Sequence, residues 1–287
     1  MKKLTPKATS NENLPTADLL SIATIASQIQ EDVEHIYGLK TQRGIEPRCS
    51  IKISAPAETS HPINSELVLI ATRTPHLREE CQLRLVHYVA CSLNKPVVIY
   101  SVSDSFIQFT RKLVNVMADI PSDAAIYDGK LNGAELQRLT SALSEIEAAP
   151  IYMYPIPHIL FNWLRLTTHK LMKQTCEIGL VLVDGVQYLI DEQRHCVSTQ
   201  QSLLGLKGLA EELRIPVVAL YQLDPTIESH PSTLTRSELG EIEALNELTD
   251  GLMLMSGTRE KLVFATPKIP KAKHVEWLVQ ISKGSFD

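Results

Sequence analysis

The chain has 287 residues, 44% of them hydrophobic and 21% charged, which is enough for one sizeable buried core with some length to spare. No apolar run approaches the roughly 20 residues that cross a bilayer, so no membrane partner is expected, and Lys2, Lys3 and Lys7 are followed by Asn11, Glu12, Asn13, Pro15 and Asp18 rather than by the apolar stretch of a signal peptide. A net charge of −5 with a pI near 6.0 offers no global attraction for nucleic acid, and the five cysteines (Cys49, Cys81, Cys91, Cys176, Cys196) lack the pairing of a metal or redox motif, which suits reduced thiols in a cytoplasmic protein.

In chain order, residues 1–15 are polar and read as a flexible tail. Over 16–38, Leu19, Ile22, Ala26, Ile29, Val33 and Ile36 recur in steps of three and four, laying one narrow apolar seam along a helix that ends near Gly38. The segment 39–65, with Pro47, Pro56 and Pro62, shows little periodicity and reads as a connection, so the seam need not pack on its own domain: docking on a partner is favoured, and the alternative is an ordinary amphipathic helix folded back on the same chain. From 66 to 287 short apolar runs alternate with helical patterns. Strands are expected at Leu67–Ala71, Pro96–Val102, Gly179–Asp184, Ile215–Gln222 and Gly251–Met255, and helices at about 77–93, 104–118, 131–148, 157–173, 198–213 and 238–248. Strands apolar throughout and separated by helices imply a parallel sheet covered on both faces. Lys261–Ala265 and Val275–Ile281 look like an antiparallel extension at one edge.

Several stretches in this order resemble the C-terminal motor domain of bacterial replicative, DnaB-type helicases, over nearly the whole span from about 14 to 287. Glu66–Arg73 looks like the first strand and its approach to the phosphate loop, and Pro96–Ser101 resembles the second strand. Leu180–Asp184 with Gln187 is similar to the Walker B strand, Pro216–Gln222 to the strand ending in the sensor glutamine, and Ser237–Leu239, Ala244–Leu245 and Asp250 to the stretch beyond it. The resemblance implies a RecA-like α/β fold, a parallel sheet flanked by helices. It also makes 16–38 similar to the linker helix that docks on the neighbouring subunit of the ring.

A phosphate loop works because glycines let successive backbone amides approach the phosphates, while a lysine reaches the terminal ones and a hydroxyl binds magnesium. The matching residues are Arg73–Glu80, and where the family has Gly-Lys-Thr this chain has Leu77, Arg78 and Glu79, with no glycine between Gly44 and Gly129. A carboxylate such as Glu79 about 4 Å from a phosphate costs roughly 4 kcal/mol at an effective dielectric near 20. Arg78 keeps the charge of a lysine on a broad planar fork. Where the family places its catalytic glutamate stands Ser103, which is no base at neutral pH, beside Asp104. Thr266 and Lys268 occupy the places of the lysine and the arginine finger that reach a neighbour's ATP. Asp184, Gln187 and Gln222 remain family-like.

Other constellations carry less. Arg259, Lys261, Lys268, Lys271, Lys273 and His274 make the C-terminal hairpin basic, and Arg194 with His195 lies where the family has a DNA-contact loop. These are the candidate contacts to single-stranded DNA, and the bland alternative is a set of solvated loops. His35, His76, His87, His158 and His169 show no metal-ligand spacing, so no metal is expected, and Ser101 and Ser103 lack a G-x-S-x-G elbow. The reading that results is a helicase-core protein without ATP chemistry, and hence without a cofactor. It would regulate or scaffold DNA replication by binding a replicative helicase, its loader or copies of itself. One alternative is an active, divergent helicase using ATP and Mg, with Arg78, Asp104 and Lys268 as substitutes. Another is a passive single-strand binder.

Overall fold

A computed structural model describes residues 20–38, 66–102, 105–154, 160–191, 195–224, 236–257 and 262–265. Its strands are β1 (Leu20–Ser21), β2 (Leu67–Thr72), β3 (Val97–Ser101), β4 (Ile151–Tyr154), β5 (Leu180–Asp184), β6 (Val217–Gln222), β7 (Gly251–Gly257) and β8 (Leu262–Ala265). They form one eight-stranded sheet in the order β1-β4-β3-β5-β6-β2-β7-β8. The strands from β4 to β7 run parallel, while β1 and β8 close the two edges antiparallel. The parallel strands are buried along their length because successive side chains enter opposite cores. Val68, Ile70, Val97 and Ile99 face one apolar cluster, and Leu67, Leu69, Ala71, Val98 and Tyr100 face the other.

The helices are α1 (Ala23–Tyr37), α2 (Pro75–Val86), α3 (Phe106–Ala118), α4 (Asp123–Tyr127), α5 (Gly133–Ala148), α6 (Phe161–Thr175), α7 (Thr199–Leu213) and α8 (Arg236–Asn246). Side chains of α1, α2, α3 and α5 fill the first cluster, and those of α6, α7 and α8 the second. Polar residues at the starts of three helices accept the otherwise orphaned backbone N–H groups. Ser105 with Gln108 opens α3, Asn132 with Glu135 opens α5, and Ser198 with Gln201 opens α7 as reciprocal capping boxes.

The expected strands and helices within the described residues stand close to where periodicity puts them. Three elements escape that reading: β1, two residues inside the span expected as helix, β4, four residues between Pro150 and Pro155, and the single turn α4. All three are too short to show a period. The expected strand Val275–Ile281, the tail 1–15 and the connection 39–65 lie outside the described residues.

The seam helix finds cover within its own chain. Its pattern and the connection after it point to a helix that stands apart and docks on a partner, yet Ile22, Ala26, Ile29 and Val33 are buried in the chain's own first cluster. β1 pairs with β4, the outermost of the parallel strands, Leu20 opposite Met153, and the Ile22 N–H donates to Ile151 O at 3.0 Å. Ser27 Oγ donates to Glu147 Oε1 at 2.7 Å, and Tyr37 Oη donates to Ile126 O at 3.0 Å while accepting from Leu131 N–H at 3.2 Å. Ile36 is 37% exposed at the end of the helix, and Leu19 lies outside the described residues. A seam identifies the face that needs cover; it carries no information about which chain covers it.

Candidate functional site at the carboxyl ends of the central strands

β2, β3, β5 and β6 end together, with Thr72 opposite Gln222 and Ser101 opposite Asp184 in the sheet register. Carboxyl ends of parallel strands are where α/β sheets bind ligands. Here β2 stops at Thr72 and α2 starts at Pro75, so only Arg73 and Thr74 separate strand from helix. Pro75 has no N–H, and the Leu77 and Arg78 amides donate to Thr74 O at 3.1 and 3.2 Å as ordinary first-turn bonds. The Leu77 side chain is buried beneath the helix.

Charges cross this corner in pairs. Arg78 Nε lies 3.1 Å from Asp184 Oδ1, and Ser101 Oγ donates to Asp184 Oδ2 at 2.8 Å. The Asp184 side chain is only 1% exposed, so its charge is balanced by the guanidinium and the hydroxyl rather than by solvent. Arg73 makes a two-pronged buried pair with Glu238 of α8, Nε to Oε1 at 3.0 Å and Nη2 to Oε2. Gln222 Nε2 donates to the Arg73, Thr72 and Leu223 carbonyls at 2.9, 3.1 and 2.9 Å, and Gln187 Nε2 reaches Gln222 O at 3.3 Å. Gly185 follows Asp184 with a φ of +81°, and a Cβ there would stand 2.8 Å from Val102 Cγ2, so glycine lets the chain turn away from the strand end. Beneath α2, burial pushes the Cys81 thiol well above its ordinary range; Arg84 lowers it, while Glu80 and Asp184 add to the rise. That sulfur is protonated and inert.

Of the residues singled out from sequence, the structure brings Arg78, Asp184 and Gln222 into this corner. Glu79 points elsewhere: its Oε2 pairs with Lys112 Nζ of α3 at 3.1 Å, on a half-exposed surface. Ser103, Asp104, Arg194, Lys268, Lys271 and Lys273 lie outside the described residues. Sequence reasoning missed Ser101 and the Arg73–Glu238 pair as parts of the site, since partners so far apart in the chain leave no local signal. It also read the histidines as lacking metal-ligand spacing, and passed over His87 and Cys91, four residues apart, which the fold brings together with Glu145 of α5.

A family model described as the DnaB-like helicase C terminal domain matches residues 59–283. The chain is 28% identical over 246 residues to the replicative DNA helicase DnaB of Nostoc sp. (strain PCC 7120), covering 84% of this chain and 27% of that protein. It is 28% identical over 187 residues to the replicative DNA helicase DnaB of Geobacillus stearothermophilus, covering 62% and 41%. It therefore spans between about a quarter and two-fifths of the length of these relatives. Among solved structures, one described as an ATPase domain matches with a TM-score of 0.59 at 18% identity, covering 71% of this chain and 78% of that one. A DnaB-like replicative helicase whose structure was described with its interactions with primase matches with a TM-score of 0.60, also at 18% identity, covering 82% and 64%. These two likenesses carry the fold, the RecA-like parallel sheet; the family match carries the relationship, and the chain belongs to the DnaB-like helicase C-terminal domain family.

Proposed function

We propose that this chain is a helicase-type core that does not turn over ATP and that serves DNA replication by association with a replicative helicase, its loader or further copies of itself. The observation that supports it most is the Arg78–Asp184 pair at 3.1 Å, which sets a guanidinium on the carboxylate that would otherwise organise magnesium. The two-residue turn into α2 supports the same reading. It leaves no run of successive free amides, and its first helical residue is a proline. The residues of this corner do not fit magnesium triphosphate.

Association rests on α1 and its connection. Residues 39–65, fully extended, would reach on the order of 90 Å, ample for α1 to occupy either its own groove or the same groove on a second copy.

The test is phosphate release by the purified chain with magnesium ATP, with and without single-stranded DNA. Release at background level in both conditions is the expected outcome. Magnesium-dependent turnover that disappears in Asp184→Asn would establish the active, divergent helicase instead.

A further inference from the structure

Where α2 runs out, its turn widens: His87–Ser92 is π-helical, and the Leu93 N–H donates to Tyr88 O, five residues back, at 3.0 Å. Such widened turns are rare and concentrate at functional sites. His87 and Cys91, four residues apart, project from the same side of it toward Glu145 on α5. His87 is buried, and Cys91 and Glu145 are half-buried. His87 Nε2 lies 3.6 Å from Glu145 Oε1, and one ligand atom from each of the three side chains falls within 4.8 Å of the others.

We propose that His87, Cys91 and Glu145 form a binding site for a zinc-type divalent cation that clamps the end of α2 to α5. Zinc bonds of about 2.1 Å to nitrogen or oxygen and about 2.3 Å to sulfur put tetrahedral ligands roughly 3.5 Å apart. The His87–Glu145 separation already matches, and seating the sulfur requires side-chain shifts of about 1 Å. The charges close as well, since a thiolate and a carboxylate together neutralise a dication while the imidazole stays neutral. A sulfur and an imidazole among three donors select a borderline-soft metal over magnesium or calcium. With three protein ligands and two of them half-exposed, the fourth position is open to water. The clamp would join the helix carrying Arg78 to the helix that floors the α1 groove, away from the corner at Asp184.

The experiment uses the full chain, stripped of metal by chelation and titrated with cobalt(II) and zinc. Cobalt is expected to produce a thiolate-to-metal charge-transfer band at about one equivalent, which zinc abolishes, and which is lost in Cys91→Ser but kept in Cys196→Ser. In the unaltered protein, zinc should slow alkylation of Cys91 roughly tenfold or more, read at the peptide level by mass spectrometry. This arm needs no variant and is immune to misfolding. Absence of the band in folded protein, a band that survives Cys91→Ser, or alkylation of Cys91 indifferent to zinc would each overturn the proposal.

Discussion

Arg78 and Asp184 show how one pair can govern a whole corner. The Asp184 carboxylate is only 1% exposed, so Arg78 and Ser101 stand in for the water it has lost. Arg78→Ala leaves that charge buried against Ser101 and is expected to cost about 3 kcal/mol in urea unfolding. Adding Asp184→Asn should recover part of the loss, because the uncompensated charge goes with it, and a double-mutant cycle measures the coupling. Tyr100 offers a residue-scale test on the opposite core. Its hydroxyl lies 2.7 and 2.8 Å from Thr167 and Thr168 Oγ1, and its pKa is pushed up to about 12, chiefly by burial. The fold thus holds this proton more tightly than the unfolded chain, whose tyrosine titrates near 10.0. Its contribution to stability is complete below about pH 10 and is lost as pH rises toward about 12. Tyr100→Phe should flatten that decline, so the stability difference between the two proteins changes between about pH 8 and about pH 11, measured by urea unfolding at each.

Among the elements, α1 is the one whose place the pattern alone did not decide. Its period and its end at Gly38, where φ is +62°, were plain, and so was the presence of an apolar face. The cover over that face comes from α3, α4 and α5, built from segments a hundred residues further along, so no local feature could name it. If the groove accepts α1 from either source, a chain lacking residues 1–38 should bind a synthetic peptide of residues 16–38. Ile29→Ala in the peptide should weaken binding by about 2 kcal/mol or more, read by fluorescence anisotropy. A truncated chain that is folded yet indifferent to the peptide would leave α1 as an ordinary core helix. The strands were legible for a different reason: β2, β3, β5, β6 and β7 are apolar on both faces, a pattern that only a doubly covered sheet requires. β4 has the same character in too few residues to register.

At the scale of the whole molecule, the amino-acid order determined the class of fold, the sequence of strands and helices, and the loss of glycine from residues 45–128, where a phosphate loop would need it. Those are properties of neighbours in the chain, set by side-chain period and backbone freedom. The tertiary structure alone decided that Arg78 meets Asp184, that Arg73 meets Glu238, that His87 and Cys91 meet Glu145, and that α1 lies in its own groove. Each of these is a meeting between segments distant along the chain. Such meetings depend on the order in which the strands assemble and on the register between them, and a linear pattern encodes neither until the sheet has formed.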